Sequence, residues 1–336
     1  MRFFLTLLLI VLLAGAAATY LLITPYGPSA ARLVTIPAGS SAASIGNILA
    51  RNGIVRSRWL FAATARLRRG TLKAGVYRFD HPAPMLAVYD RIRAGDVYTI
   101  ALTIPEGFNI FDIAAAAEKA GLASRADFLA AEQHDTDLIQ DLSANAPSLE
   151  GYLFPDTYKL SPNMAPHAIL REMVQHFRQE TLSLGLHDNI PQTVTLASLV
   201  ERETPDPADR PLVASVFVNR LAKGMPLETD PSVIYAALLE NRYRGTIYQS
   251  DLKADSAYNT YMHTGLPPGP ICNPGVQALL AAMHPAQSNF LYFVSDPQNA
   301  GHSLFAATLD EHSRNVAAYR RQQRERQAAG GKQVAR

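Results

Sequence analysis

The sequence has almost no cysteine. Cys272 is the single one among 336 residues, which excludes an internal disulfide framework. This scarcity fits a reducing compartment, and it fits equally an exported protein that lacks disulfides. No candidate base is adjacent to Cys272 in the sequence, so a thiol nucleophile has little support.

Motifs for metals, phosphates and nucleic acids are also missing. The nine histidines are scattered, and there is no His-Glu-x-x-His motif and no cysteine pair, so neither a metal site nor a cofactor is predicted. There is no glycine-rich phosphate loop and no Gly-x-Ser-x-Gly nucleophile elbow. A formal net charge of +2 gives no indication of nucleic-acid binding. What remains is chemistry centred on carboxylates.

A long apolar segment opens the chain. Residues 3–23 carry no charge, and a helix of that length spans a bilayer core of ~30 Å. Arg2 precedes the segment, which favours a cytoplasmic N-terminus. Ala14-Gly15-Ala16 and Ala16-Ala17-Ala18 resemble cleavage sites, so a removed signal peptide is the alternative. Because the apolar run continues to Ile23, we predict an uncleaved anchor and an exported remainder.

Two copies of a short motif follow. Val34-Thr35-Ile36-Pro37-Ala38-Gly39 returns 68 residues later as Leu102-Thr103-Ile104-Pro105-Glu106-Gly107. Each copy predicts a strand, a turn, an amphipathic helix with a glycine stop, and a second helix. The pattern resembles LysM, a glycan-binding module, although a structural repeat without a ligand explains it equally well. We expect two small α/β units, with a strand at 72–79 and a helix at 85–94 between them.

Two glutamates lie at the end of a predicted buried helix, residues 193–204. The helix is apolar on nearly every side and is followed by several prolines. Apolar neighbours and the negative end of the helix dipole both raise the pKa of a carboxyl group there, as a general acid requires. Glu201 is the candidate acid. Glu203 lies roughly 200° further round the helix and cannot point into the same site. The alternative is that both only solvate the helix end.

Other polar and aromatic residues predict a sugar-binding cleft. The stretch 150–158 combines aromatic rings with carboxylates, which suits the apolar faces and hydroxyls of sugars. Residues 257–270, rich in proline and tyrosine, predict a rigid exposed loop that forms one wall. Asp230 before a proline is either a helix cap or a cleft residue. The predicted cleft residues are Glu150, Tyr152, Asp156, Asn219, Asp230, Tyr258, Asn259, Tyr261 and His302, of which Asn219 and His302 have an equally good structural explanation.

The number of carboxylates at the site decides the reaction. Hydrolysis of a glycoside needs two of them flanking the bond. The second candidate is Glu150, Asp156, Glu228 or Asp230. If none of them serves, a hydroxyl of the sugar itself is the nucleophile. One glutamic acid then protonates the leaving oxygen and afterwards deprotonates that hydroxyl, which gives an internal anhydro ring.

Several of these stretches together resemble the YceG-like (MltG) endolytic murein transglycosylases. The resemblance rests on residues 150–158, 196–204, 258–261 and 265–270, and it extends to 213–220, 229–235 and 301–305. It implies a single-pass inner-membrane protein whose catalytic region is periplasmic. It implies cleavage of nascent peptidoglycan strands between N-acetylmuramic acid and N-acetylglucosamine, leaving 1,6-anhydro ends. Strand elongation then terminates near peptidoglycan synthases and penicillin-binding proteins.

On this resemblance Glu201 takes the position of the catalytic glutamate. The sequence departs from the family pattern at two positions. Glu228 stands where glutamine is expected, and Ser313 stands where asparagine is expected. The extra carboxylate of Glu228 leaves the subsite preference open.

We therefore predict an α+β protein in four parts. Residues 1–24 form a cytoplasmic stub and a transmembrane anchor, and residues 25–147 form a region of LysM-like α/β units. Residues 148–322 form the mixed α+β catalytic domain, and residues 323–336 form a basic disordered tail. The alternatives are a non-catalytic peptidoglycan-binding scaffold, a metal-dependent envelope amidase or peptidase, and a hydrolytic muramidase.

Overall fold

The computed structural model describes residues 2–299 and 301–330. The chain forms two compact units. The first runs from the start of the chain to Ala101 and includes Lys159–Asn163, and the second comprises Leu102–Tyr158 and the residues from Met164 onward. Helices and strands are mixed throughout the described residues, which confirms the predicted α+β class.

The first helix, α1, covers Arg2–Ile23. It is long and apolar enough to cross a membrane, and none of its residues is buried within the protein. An uncharged, uninterrupted run of apolar residues is what allows a helix to exist in lipid, because its backbone groups are satisfied internally. The predicted anchor thus corresponds to one continuous helix, and its orientation stays a prediction.

The first unit continues with five short elements. They are β1 (Arg32–Ile36), α2 (Ala42–Arg51), α3 (Arg58–Arg68), β2 (Gly75–Phe79) and α4 (Met85–Ala94). The strands β1 and β2 are antiparallel, with Val34 opposite Tyr77. Both helices after β1 begin at a serine whose side chain accepts a backbone N–H of the first turn, namely Ser41 and Ser57. The predicted helix at 85–94 is confirmed, and the strand predicted at 72–79 is present over the shorter range 75–79.

The remaining elements follow in chain order. They are β3 (Ile100–Thr103), α5 (Ile110–Lys119), α6 (Arg125–His134), a 3-10 turn (Thr136–Ile139), β4 (Thr157–Leu160), α7 (Pro166–Ser183), α8 (Ile190–Glu203), α9 (Arg210–Ala222), α10 (Asp230–Leu239), α11 (Gln249–Leu252), α12 (Val276–Met283), β5 (Tyr292–Ser295), β6 (Ser303–Ala306) and α13 (Leu309–Gly330). The second copy of the repeated motif forms β3, α5 and α6, as predicted. Strand β3 pairs with β4, and β5 pairs with β6 in antiparallel fashion.

The boundary between the two units falls between the two copies of the repeat. The sequence placed both copies in one region ending at residue 147, whereas the second copy belongs to the second unit. Hydrogen bonds explain this membership. The backbone N–H of Ile110 donates to Glu150 at 3.0 Å, and the backbone N–H of Leu149 donates to Glu132 at 2.6 Å. The second copy is thereby bonded to the segment that the sequence assigned to the catalytic domain.

Helix α8 lies at the centre of the second unit. Leu199 and Val200 on α8 are fully buried against Val213 and Phe217 of α9. Truncating one such leucine to alanine costs about 2–5 kcal/mol of stability. At the other end of the chain, α13 continues to Gly330, beyond the start of the predicted tail at residue 323. The last six residues of that tail lie outside the described part of the chain.

Candidate active site

The end of α8 carries the two glutamates on opposite faces. All residues from Val194 to Val200 are buried, so the helix is held on every side before it reaches Glu201. The helix stops at Glu203, because Thr204 is extended and Pro205 follows. The two carboxyl groups therefore have different neighbours, as the ~200° between them requires.

Glu201 is held in an ion pair. Its side chain is only 5% exposed, and its Oε1 accepts a hydrogen bond from Arg210 Nη2 at 2.7 Å. Its Oε2 accepts the backbone N–H of Gly275 at 3.0 Å. Burial raises the pKa of Glu201, and the hydrogen bond from Gly275 and the charge of Arg210 partly offset that increase. Both carboxylate oxygens thus have a protein donor.

Arg210 extends this ion pair into a small network. It is the first residue of α9 and is itself buried, and its Nη1 lies 3.7 Å from Glu106 Oε2. Arg202 Nη1 donates to the carbonyl of Gly107 at 3.3 Å on the same side of α8. Removing one partner from a buried pair leaves an uncompensated charge, which is strongly destabilising. On this face, α8 is bound to α9 and to the turn at residues 106–107 by these contacts.

Glu203 faces a cavity instead. The cavity has a volume of about 340 Å³ and is lined by Glu203, Phe217, Arg220, Leu227, Glu228, Asp230, Tyr261, Phe293 and His312. Burial raises the pKa of Glu203 to about 7, the charge of Asp230 raises it further, and the charge of Arg220 lowers it. Among the described residues, no hydrogen bond contributes to this pKa. Glu203 therefore has the properties of a general acid at neutral pH: a retained proton and access to a cavity.

The walls of the cavity are fixed by polar contacts. The hydroxyl of Tyr261 donates to Asp230 Oδ1 at 2.7 Å. Arg220 Nη1 donates to Glu228 Oε2 at 3.0 Å. The same guanidinium donates to the carbonyls of Pro226, Leu227 and Leu291. A single buried arginine thus ties the segment before α10 to the strand β5.

Hydrogen bonds of the two preceding residues, Asn259 and Thr260, fix the loop that carries Tyr261. Thr260 Oγ1 accepts the backbone N–H of Thr229 at 2.9 Å and lies 2.8 Å from Ser232 Oγ. Asn259 is buried, and its Nδ2 donates to the carbonyls of residues 251, 252 and 254. In the Tyr-Asn-Thr-Tyr stretch the two middle residues are therefore buried and fix the loop, while Tyr261 reaches the cavity. Of the predicted cleft residues, Asp230 and Tyr261 are the two that line the cavity with Glu203.

Glu150 lies away from the cavity and is 2% exposed. Its Oε2 accepts the backbone N–H of Ile110, and its Oε1 accepts Nδ2 of Asn273 at 2.8 Å. Burial raises the pKa of Glu150 well above its ordinary value. Asn273 also accepts the backbone N–H of Leu153 at 2.8 Å and donates to the carbonyl of Phe108 at 3.0 Å. The Glu150–Asn273 pair joins three segments of the second unit.

The other predicted residues also occupy structural positions. Tyr152 is buried with its ring against Phe177. Tyr258 is half-buried against Tyr235, with ring centroids 5.1 Å apart. Asp156 is exposed, and its Oδ2 lies 3.3 Å from Nδ1 of a histidine on α7.

Asn219 and His302 also make structural contacts. Asn219 Nδ2 donates to the carbonyls of Ser288 and Phe290, at 3.0 and 2.9 Å. His302 Nδ1 lies 2.6 Å from Asp206 Oδ2. With Asp209, these side chains place their ligand atoms close enough together to hold a cation. Since Asp209 Oδ2 also accepts the backbone N–H of Ser303 at 2.6 Å, the group connects the β5–β6 hairpin to the loop before α9.

Sequence reasoning missed Arg210, Arg220 and Asn273. Arg210 carried a usable signal, because a cation in the first turn of a helix opposes the helix dipole and calls for an acidic partner. Arg220 and Asn273 carried none, since most of their partners are backbone groups, which any residue supplies.

The first unit has a separate groove of about 650 Å³. It is lined by the turn after β1, the start of α2, one side of α3 and residues 70–74. Small side chains and the hydroxyls of Ser40, Ser41 and Thr71 form much of its surface. The groove belongs to the strand–helix–helix–strand segment that begins with the first copy of the repeat.

The chain is similar to proteins of one family. The model of the YceG-like family matches residues 34–318. A Bacillus subtilis protein named endolytic murein transglycosylase is 33% identical over 298 residues, which cover 82% of this chain and 81% of that protein. A Streptococcus pneumoniae protein of the same name is 31% identical, and the match covers 81% of this chain and 55% of the longer relative. A crystal structure of a YceG-like protein from Listeria monocytogenes is 31% identical, with a TM-score of 0.56, covering 85% of this chain and 99% of that one.

Proposed function

Since the chain belongs to the YceG-like family, we propose that it is an endolytic murein transglycosylase anchored in a membrane. The names of the bacterial relatives support the substrate and the type of reaction. The observation that carries the proposal is Glu203, a carboxyl group with a pKa of about 7 in a polar cavity. One acid of this kind is what an intramolecular transglycosylation needs.

The reaction cleaves the bond between N-acetylmuramic acid and N-acetylglucosamine inside a glycan strand. The carboxyl group of Glu203 gives its proton to the glycosidic oxygen, and the bond from that oxygen to C1 breaks with its electron pair on the oxygen. The resulting carboxylate removes the proton from the C6 hydroxyl of the same muramic acid, and O6 bonds to C1. The product is a 1,6-anhydro end, the acid is regenerated, and no water is consumed.

Two cavity residues assist the acid. Asp230 is fixed by Tyr261 at 2.7 Å, and its negative charge raises the pKa of Glu203. The same charge is suited to stabilising the positive charge that develops on the sugar ring in the transition state. Tyr261 is a positioning residue, because it acts on the substrate through the orientation of Asp230.

The assignment of the acid differs from the sequence-based one. The sequence predicts Glu201, whose carboxylate accepts hydrogen bonds from Arg210 and Gly275. A carboxylate with both oxygens occupied has to break an ion pair before it can serve a substrate. We therefore assign the acid to Glu203 and a supporting role to Glu201, and the two assignments predict opposite results for matched variants.

The test is mass spectrometry of the products from uncrosslinked glycan strands. The full-length protein in detergent is compared with Glu203→Gln and Glu201→Gln, and circular dichroism verifies the fold of each variant. We expect fragments with 1,6-anhydro ends from the wild type and from folded Glu201→Gln, and none from Glu203→Gln. Loss of activity in folded Glu201→Gln with retention in Glu203→Gln would return the role to Glu201. Reducing ends would indicate hydrolysis, and a wild type that binds strands without cleaving them would indicate a scaffold.

Anchoring in a membrane is a separate part of the proposal. We propose that α1 crosses the inner membrane once, with its N-terminus in the cytoplasm and both units in the periplasm, close to the synthases that produce the strands. Helix α1 has the length and apolarity for one span, and Arg2 precedes it. Protease added outside spheroplasts is expected to remove the units and to leave a short membrane-bound fragment.

The groove of the first unit is the candidate site for a further part of the same strand. The resemblance of the surrounding sequence pattern to LysM and the hydroxyl groups on the surface of the groove support this role. Ala62 lines the groove, whereas its neighbour Ala63 is exposed and does not. Ala62→Phe is expected to weaken co-sedimentation with glycan strands, and Ala63→Phe is expected to leave it unchanged. Equal binding by the two variants would mean that the groove holds no glycan.

A further inference from the structure

The first unit is basic, and between the membrane helix and residue 79 all of its charged residues are positive. Residues 24–79 contain nine arginines and lysines and no aspartate or glutamate, although the whole chain has a net charge of only +2. Asp80 is the first acidic residue of the chain. A run of this composition directly after a membrane span attracts anionic lipid headgroups, each basic residue near the surface contributing about 1 kcal/mol.

The end of the membrane helix is joined to this unit by specific contacts. Tyr26 and Ala83 exchange two backbone hydrogen bonds of 3.1 Å. Leu22 packs against the hydrophobic core of the unit. The guanidinium of Arg56 lies over the rings of Tyr20 and Tyr26, with its Cζ at 5.6 and 4.9 Å from the ring centroids. The position of the unit relative to the end of α1 is therefore set by packing and not by a flexible linker.

Helix α3 begins two residues after Arg56 and presents an unusual outer face. Trp59 is 70% exposed and Leu67 is 83% exposed, although the opposite side of α3 is buried in the core. A spacing of eight residues places both side chains on adjoining parts of one helix face. Arg58 stacks on Trp59 at 4.6 Å, and Arg66 is also exposed on α3. Apolar side chains flanked by arginines are typical of helices that lie in a membrane interface.

We propose that the outer face of α3 docks on the anionic surface of the membrane that α1 crosses. Trp59 and Leu67 enter the headgroup region, and the arginines around them contact lipid phosphates. Tyr20 and Tyr26 complete an aromatic belt at the level where the span ends. The occupant is a lipid surface and not a wall polymer, because the face is continuous with the end of the span and exposes tryptophan and leucine. The inference rests on the proposed membrane anchoring and is independent of the proposed chemistry.

Trp59 is itself the reporter for a test, because it is the single tryptophan of the chain. The full-length protein is reconstituted in nanodiscs of phosphatidylcholine, with or without phosphatidylglycerol. Emission of Trp59 is recorded, together with quenching by lipids brominated near the headgroup. In discs with phosphatidylglycerol we expect a blue shift and strong quenching, and both decline as salt is added. In discs of phosphatidylcholine alone we expect emission typical of a water-exposed ring.

A matched pair of variants separates docking from a general charge effect. Arg66→Glu with Arg69→Glu changes exposed residues about two helical turns or more from Trp59, and it leaves the surroundings of the ring intact. At about fivefold for each arginine removed, the docking equilibrium should fall by at least about 25-fold. Arg320→Glu with Arg321→Glu makes the same change on α13 of the second unit, where both residues are exposed, and is expected to have no effect on Trp59.

Three results would overturn the proposal. Equal quenching with and without phosphatidylglycerol would show that headgroup charge does not draw this face to the membrane. A Trp59 emission that stays water-like in lipid, but shifts on addition of glycan strands with acidic stem peptides, would assign the face to the wall polymer. An equal loss of quenching in both double variants would show a non-specific charge effect. Flotation of the same protein with vesicles reports insertion of α1, so failure of the anchor is distinguished from failure of docking.

Discussion

Replacing Glu203 by glutamine should have opposite effects on activity and stability. The variant keeps the shape of the side chain and removes its ionisation. Burial raises the pKa of Glu203 from 4.5 to about 7, so the folded protein binds this proton more tightly than the unfolded chain does. The contribution of Glu203 to the stability of the wild type is therefore fully present below pH 4.5 and is lost as the pH rises through 7. A shift of this size corresponds to about 3 kcal/mol lost at alkaline pH, at 1.36 kcal/mol for each pKa unit.

Glutamine does not ionise, so the variant does not lose this stability at alkaline pH. We expect Glu203→Gln to melt close to the wild type at pH 4.5 and about 6–12 °C above it at pH 8, since each kcal/mol shifts the melting temperature of a unit of this size by about 2–4 °C. At the same time, strand cleavage should fall by about 10²–10⁴-fold, because the general acid is lost. Cleavage by the wild type should decline above pH 7, as the acid loses its proton.

Thermal unfolding of the full-length protein in detergent at pH 4.5, 6 and 8 measures the first effect, and release of anhydro ends measures the second. Glu201→Gln is the matched control, because it makes the same change two residues away. It loses a charge-assisted hydrogen bond to Arg210, and it should be destabilised by roughly 1.5–3 kcal/mol. A difference between wild type and Glu203→Gln that does not vary with pH, or cleavage that survives the substitution, would refute the reasoning.

Three further substitutions probe the supports of the site. Asn273→Ala leaves several buried partners unmatched, and we expect a loss of stability of about 3 kcal/mol or more, seen as a lower melting temperature; an unchanged one would contradict this. Tyr261→Phe removes the hydrogen bond to the cavity carboxylate at 2.7 Å, and cleavage should slow by about tenfold at an unchanged melting temperature. Gly151→Ala brings a Cβ to 2.4 Å from a proline ring at φ +88°, so it should destabilise the fold far more than Gly185→Ala, where φ is +76° and no atom lies within 4 Å; equal effects would show that the close contact relaxes freely.

Much of the secondary structure could be predicted from the sequence, because its signals are local. The apolar run of the anchor, the serine caps of the repeat and the prolines around α8 each fix an element through neighbouring residues. Helix α4 has the predicted limits of 85 and 94. The repeated motif correctly predicted a strand and two helices in each copy. It could not predict which unit each copy belongs to, because contacts between distant residues decide that.

The identity of the acid is a different kind of question. The sequence shows two glutamates on opposite faces of a buried helix, and both faces raise a carboxyl pKa in the same direction. What separates them is which face meets Arg210, nine residues further along the chain, and which meets a cavity built by residues 217–312. For the same reason Glu150 and Asn259 looked like cleft residues. The carboxylate of Glu150 accepts hydrogen bonds from Ile110 and Asn273, which only the tertiary fold brings near. The amide of Asn259 donates to carbonyls five to eight residues earlier, in a turn that the sequence did not predict.

Arg220 and Asp230 act in opposite directions on the pKa of Glu203, the proposed acid. Arg220 lies at the cavity wall as a permanent positive charge and lowers the pKa of Glu203, whereas Asp230 raises it. Both act on the pKa of Glu203 through their charges, whereas the position of Glu203 is fixed by helix α8. Loss of the Arg220 charge would raise the pKa of Glu203, and loss of the Asp230 charge would lower it. Smaller changes beside these two residues would move the same pKa while leaving the hydrogen bonds of Arg220 and the carboxylate of Asp230 in place. A lineage that colonises acidic or alkaline surroundings thus has a simple route of adaptation in the wall of the cavity.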